Sequence, residues 1–122
     1  MMEIERKILL IDPNPQDRED LASLLRGENY IVETGKSLKD ALEKLANGGF
    51  HCLLMEVHLP EMKGYEAVPI IKNLDPNLKI IMMTSKNSRQ LEAKVREQDI
   101  FYYFIKSFGQ EELKLAIRNA FS

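Results

Sequence analysis

Four short apolar runs in this chain each close on one polar, chemically able residue. Ile8 to Ile11 is followed by Asp12, Cys52 to Met55 by Glu56, Ile80 to Met83 by Thr84, and Phe101 to Ile105 by Lys106. Uniformly apolar runs of this length are what strands buried on both faces of a parallel sheet need; a strand with one wet face alternates instead. If the runs are neighbouring parallel strands, their ends share one edge of the sheet. Two carboxylates, a hydroxyl and an amine then form a single pocket.

The segments between the runs carry helical spacing. Asn14 and Pro15 supply a cap and a favoured first helical residue before Leu21, Leu24 and Leu25, and Gly27 marks the end. Tyr30 to Val32 reads as a second strand. Ser37 to Asp40 resembles a capping box, ahead of an apolar face of Leu38, Ala41, Leu42 and Leu45 that stops at Asn47-Gly48-Gly49. A third helix is expected to turn Val68, Ile71 and Leu74 inward, starting late or kinked at Pro69. The fourth, around Arg89 to Glu97, is thinly apolar, with only Leu91, Ala93 and Val95. The last carries Leu113, Ala116, Ile117, Ala120 and Phe121.

Five strand–helix repeats predict one domain over residues 1–122: an α/β, flavodoxin-like, doubly wound five-stranded parallel sheet, (βα)5, in the order 2-1-3-4-5. Ligands in such sheets bind where the strand order reverses, here between the first and third strands. That crevice opens beside Asp12 and Glu56.

Composition narrows the function. A net charge of -2 and a pI near 5.7 give no basic field for nucleic acid. The single cysteine, Cys52, lies in an apolar run and reads as a buried structural thiol. No stretch reaches the ~18 apolar residues of a membrane span, and Met1 to Lys7 lacks a signal-peptide core. A soluble, cytoplasmic domain is expected.

A flavin or nucleotide would want a Gly-, Ser- or Thr-rich turn of bare N–H groups at a helix N-terminus. The turn Asp12-Pro13-Asn14-Pro15 has two residues without N–H and a negative charge, so a small-molecule flavodoxin-like module is the weaker reading. Phosphoryl chemistry on a carboxylate needs an acceptor, a divalent ion, a hydroxyl and an ammonium. Thr84 and Lys106 suit the phosphoryl oxygens and Asp12 suits the ion.

At these residues the chain resembles the receiver domain of two-component response regulators, over nearly its whole length. The resemblance rests on Lys7 to Asp12, Pro15 to Arg18, Leu59 to Gly64, Ile80 to Ser85 and Tyr103 to Lys106, in this order and at these separations. It implies that Asp12 belongs to an acidic metal pocket and that position 56 is the phosphoryl acceptor. Thr84 and Lys106 would be the hydroxyl and lysine that hold the phosphoryl group, and Tyr103 the aromatic whose rotamer reports the switch. The resemblance also implies a histidine kinase as donor, Mg2+ as cofactor, and protein partners or a second copy on the face of helix 4, strand 5 and helix 5.

The departures matter as much. Pro13 stands where receivers have their second acid and direct metal ligand, and Glu56 where they have the acceptor aspartate. Ser107 replaces the usual proline after the lysine, Lys63 a frequent acid, and Asp99 a usual glycine. The extra methylene of glutamate moves its carboxylate by up to about 1.5 Å, one carbon–carbon bond. Misplacement near 1 Å costs on the order of 100-fold in rate. Both changes strike the same step, so the expectation is a pseudo-receiver that does not use the metal-assisted route and needs no Mg2+. Glu56 is expected to reach toward Lys106 and Thr84, mimicking part of a phosphate with one charge against its about -1.5 to -2. The alternative is a phosphorelay receiver that still accepts a phosphoryl group from a histidine kinase.

Simpler structural roles stand beside these. Lys106 paired with Asp12 or Glu56 stabilises a crowded carboxylate edge, and Thr84 serves as a strand-end residue. His51 and His58 read as surface or strand-edge residues, with nothing placing them at metal spacing. Met55, Met82 and Met83 read as core packing. Of the aromatics Phe101 to Phe104, one ring is expected to be poorly covered.

Overall fold

The computed structural model describes residues 5–122. The reading of Met1 to Lys7 as lacking an export signal therefore falls partly outside the described residues. Five strands, β1 Lys7–Ile11, β2 Ile31–Gly35, β3 Cys52–Glu56, β4 Lys79–Thr84 and β5 Tyr102–Ile105, pair in parallel in the order β2-β1-β3-β4-β5. The register sets Ile8 beside Cys52 and Leu54 beside Ile81, so the strand ends bearing Asp12, Glu56 and Thr84 come level. The expected topology is the observed one.

Strand residues alternate between two apolar layers, because successive side chains leave opposite faces. Leu9, Ile11, Leu53, Met55, Ile80 and Met82 face α2 Leu38–Ala46, α3 Val68–Leu74 and α4 Arg89–Arg96. Ile8, Leu10, Cys52, Leu54, Ile81 and Met83 face α1 Pro15–Gly27 and α5 Gln110–Ala120. Each side chain named here is fully buried, which is why no run alternates with polar residues. Burial pushes the Cys52 thiol up to about 12, so it stays protonated and inert.

Local signals act as read at α1 and α2. The Asn14 side chain accepts the Asp17 N–H at 2.9 Å, and Pro15 opens the helix. The Ser37 hydroxyl accepts the Asp40 N–H, while the Asp40 carboxylate turns back to the Lys36 N–H rather than to that of Ser37. Four details differ. A 3-10 turn over Gly64–Ala67 precedes α3, Pro69 stands in the first turn, and α3 has only 7 residues, so Leu74 at its last position is 54 % exposed instead of inward. Ala93 of α4 is exposed too, leaving Val95 as that helix's one fully buried side chain. β2 begins at Ile31, since Asn29 turns the chain with a positive φ and Tyr30 packs under it. β5 begins at Tyr102; Phe101, the poorly covered ring, is 38 % exposed, although its N–H still donates to Ile80.

Candidate functional site

The site grows from the carboxyl ends of β1, β3, β4 and β5. Asp12 leaves β1 buried, and one carboxylate oxygen accepts the Asn14 N–H at 3.0 Å. Its main-chain carbonyl accepts from the Arg18 guanidinium at 2.7 Å, which fixes the turn. Because α1 starts only three residues later, its first turn stands over the strand end and brings Asp17 back toward the pocket. Lys106, just beyond β5, lies with its stem buried and its ammonium at the focus. Nζ donates to Asp12 Oδ2 at 2.8 Å, Asp17 Oδ2 at 2.9 Å and Glu56 Oε1 at 2.9 Å.

The second oxygen of Glu56 accepts the His58 backbone N–H at 2.8 Å and lies 3.2 Å from His58 Nδ1. That nitrogen is also 3.3 Å from Thr84 Oγ1, which accepts the Lys86 N–H at 3.0 Å. A carboxylate only accepts, so the contact with Glu56 requires the proton on Nδ1. Glu56 thus reaches Lys106 as expected, but it reaches Thr84 through an imidazole. His58 is the half-exposed residue beside the strand end that the sequence suggests, but an antiparallel bridge to Lys63 folds the loop back and sets its ring over the pocket as well. His51 is on the surface, its ring accepting the Lys7 N–H.

Gly64 closes that loop. Its N–H donates to the Val57 carbonyl, and an added Cβ would stand 2.7 Å from the Glu56 carbonyl and 2.8 Å from the Met82 methyl. Only a residue without a side chain lets the loop lie this close to the strand end. Glu61, at the loop's tip, accepts the N–H groups of Leu38 and Lys39 and so caps α2 from a distant part of the chain.

Three carboxylates against one ammonium leave the cluster with a formal charge of -2. Burial raises the pKa of Asp12 and neighbouring Glu56 adds to it, against the opposing pull of Lys106 and the Asn14 N–H. For Lys106 burial alone would favour the neutral amine, but its contacts with Asp12, Glu56 and Asp17 outweigh it and hold the pKa above the ordinary lysine value. Tyr103 is buried on the α4 side, with its hydroxyl donating to Asn87 Oδ1 at 2.7 Å and Arg96 over its ring. Burial, then the charges of Glu92 and Glu56, push its phenol up to about 12.

The donor set suits an ammonium better than magnesium. Mg2+ takes near-octahedral oxygen at about 2.0–2.1 Å. The oxygens of Asp12 and Glu56 that do not face Lys106 accept backbone N–H groups, and Pro13 presents no side-chain oxygen. Among the described residues no three of His, Cys, Asp and Glu are disposed to hold a metal.

The structure thus joins Asp12, Glu56 and Lys106 directly and Thr84 through His58, and it places Tyr103 one layer away. Sequence reasoning missed Asp17, His58 and Asn87. Asp17 was detectable in principle, since a cap at Asn14 fixes the first-turn position of the third residue after it. For Asn87 no local signal exists.

A doubly wound, flavodoxin-like α/β domain with an acidic, lysine-bearing pocket at its strand ends is the class of protein that this fold and site define. Residues 8–118 match the response regulator receiver domain family. The chain belongs to that family. It is 29% identical over 118 residues to the response regulator protein VraR of Staphylococcus saprophyticus, covering 95% of this chain and 56% of that protein. Among solved structures it resembles the signal receiver domain of an HD domain-containing protein from Pseudomonas fluorescens Pf-5, with TM-score 0.90, 28% identity, and 98% and 89% of the two chains covered. It also resembles the beryllofluoride-activated NtrC4 receiver domain dimer, with TM-score 0.87, 25% identity, and 94% and 95% covered. The chain spans from 26% to 56% of the length of the first curated relatives it matches. No helix among the described residues is long and apolar enough to cross a membrane.

Proposed function

We propose that this receiver domain of a two-component system has a degenerate phosphorylation site and signals through protein contact. The observation that carries the reading is the 2.9 Å ion pair between Lys106 Nζ and Glu56 Oε1. The longer acceptor-position side chain already holds the lysine that would receive a phosphoryl oxygen. Its other oxygen is taken by the His58 loop, so neither oxygen is poised to attack phosphorus. Pro13 removes the ligand that would screen two meeting anions. No Mg2+-dependent step is built on these residues, and the site stays near one signalling state, with Tyr103 held inward by Asn87.

The contact face is that of α4, β5 and α5. There Phe101 and Phe108, the latter 67 % exposed, line a groove of about 460 Å³ rimmed by Glu92, Arg96 and Glu112. A rim with both charge signs is self-complementary under two-fold symmetry, where each patch meets its own copy. The occupant we assign is a second copy of this chain; the similar NtrC4 receiver is a dimer.

Incubation with acetyl phosphate and Mg2+, followed by intact-mass spectrometry, tests the chemistry. The expected result is no phosphoryl adduct, with labelling gained in Glu56→Asp plus Pro13→Asp. Stoichiometric labelling of the natural chain at Glu56 would overturn the proposal and restore the phosphorelay reading.

A further inference from the structure

We infer that Asn47 is a self-modifying position: the Gly48 backbone nitrogen displaces its side-chain amide as ammonia, leaving an aspartyl or isoaspartyl residue at the end of α2. The change is independent of the pocket described above and consumes only water.

Asn47-Gly48 is the only asparagine–glycine pair in the chain. Attack of this kind needs an N–H on the following residue, no side chain crowding that nitrogen, and a backbone free to turn. All three conditions meet here. Asn47 caps the C-terminus of α2, and residues 47 to 49 are all exposed. Gly48 and Gly49 have φ of +73° and +88°, and a Cβ added at Gly48 would meet nothing within 4 Å. No packing holds the link in place, and glycine lets its peptide swing. One contact opposes the attack. The Gly48 N–H donates to the Leu45 carbonyl at 3.0 Å, with Asn47 near helical ψ at -11°. That bond closes the last turn of a 9-residue helix, and helix ends are where a fold opens at least cost.

The other asparagines each lack a condition. Asn14 precedes Pro15, whose nitrogen bears no hydrogen. Asn73 and Asn119 lie inside α3 and α5. Asn29 and Asn77 precede Tyr30 and Leu78, which are buried and donate their N–H to Leu25 and Asp75. Asn87 is exposed, but the Tyr103 hydroxyl holds its amide oxygen at 2.7 Å, and Ser88 after it carries a side chain.

The Gly48 nitrogen loses its proton to solvent base and bonds to Asn47 Cγ. The Cγ–Nδ2 bond breaks, and Nδ2 takes a proton from solvent and leaves as ammonia. Water then opens the five-membered imide, its hydroxyl going to carbon and its proton to nitrogen. Opening at Cγ gives aspartate. Opening at the main-chain carbonyl gives isoaspartate and adds a methylene to the link between α2 and buried Phe50. Either product sets a carboxylate at the negative end of α2's dipole, so the helix end should fray further.

The test holds the folded natural chain at mildly alkaline pH and physiological temperature, beside Asn47→Gln, whose longer amide would have to close a larger and slower ring. Intact-mass and peptide-mapping spectrometry follow the amide-to-acid change, and isoaspartyl methyltransferase labelling reports the product. Loss of the amide at position 47 is expected, with isoaspartate present and a rate rising with hydroxide. It should outpace loss at Asn87 by roughly tenfold or more, because orientation of the reacting groups controls factors of that size. Asn47→Gln should keep its mass over the same period. Retention of the amide by the folded chain while the urea-unfolded chain loses it would overturn the inference. So would aspartate without isoaspartate, or a mass gain undiminished in Asn47→Gln.

Discussion

Lys106 and Asp17 sit in one ion-pair cluster, but their replacement should cost very different amounts. Asp12 and Glu56 are buried, so Lys106→Met strands two carboxylates, a change of about 3–5 kcal/mol in typical buried pairs. The Asp17 carboxylate is 39 % exposed, and Asp17→Asn should cost under about 1 kcal/mol. Urea unfolding of the two variants checks the ranking, and equal losses would show that burial does not govern the cluster. Titration adds a sign. The raised pKa of Lys106 contributes stability that is complete below the ordinary lysine value near 10.4 and is lost as pH rises through the higher folded value. Alkaline unfolding of the natural chain should therefore begin above that ordinary value and be steeper than in Lys106→Met. Gly64→Ala forces a methyl against the Glu56 carbonyl and should cost about 1–3 kcal/mol, as overpacking does. A shifted His58 amide resonance should accompany it. From sequence Lys106 and Glu56 were identifiable because each ends an apolar run; His58 was not, because its placement depends on the loop closing over Gly64.

The start of α2 is held by two carboxylates of different origin. Asp40 accepts the Lys36 N–H, which lowers its pKa despite slight desolvation. For Glu61 desolvation acts upward, yet the Lys39 and Leu38 N–H groups prevail and lower it. Lowered acids contribute stability above their unfolded pKa values, near 4, and lose it as pH falls through the folded ones. Hydrogen exchange at Leu38 and Lys39 should thus be slow near neutrality and speed up in acid, once intrinsic rates are removed. Glu61→Ala should raise it at neutral pH, with a cap loss of about 0.5–2 kcal/mol. Unchanged protection would mean that Ser37 alone holds the helix. The Ser37 cap was legible, since side chain and N–H lie three residues apart. The Glu61 cap was not, because it joins residues over twenty positions apart.

At the scale of the molecule, the sheet decides both what meets and what faces outward. Its order places β5 at an edge, so the groove of Phe101 and Phe108 lies open beside α4, a helix with little apolar surface to spread over it. For the two-copy contact proposed above, the natural chain should show concentration-dependent self-association in analytical ultracentrifugation, and Phe108→Asp should abolish it with the melting temperature nearly unchanged, since the ring is mostly exposed. An unaltered association constant would remove this face from the assembly. The amino-acid order alone determined the (βα)5 topology and the four residues that end β1, β3, β4 and β5, because burial on both faces writes uninterrupted apolar runs there; the edge strand β2, with Glu33 and Thr34, has no such run and was legible only in part. Only the folded chain decided that one ammonium would gather Asp12, Asp17 and Glu56, and that His58 would stand between Glu56 and Thr84. Such contacts depend on the length and angle of long side chains across separate elements, and no periodicity along the chain encodes them.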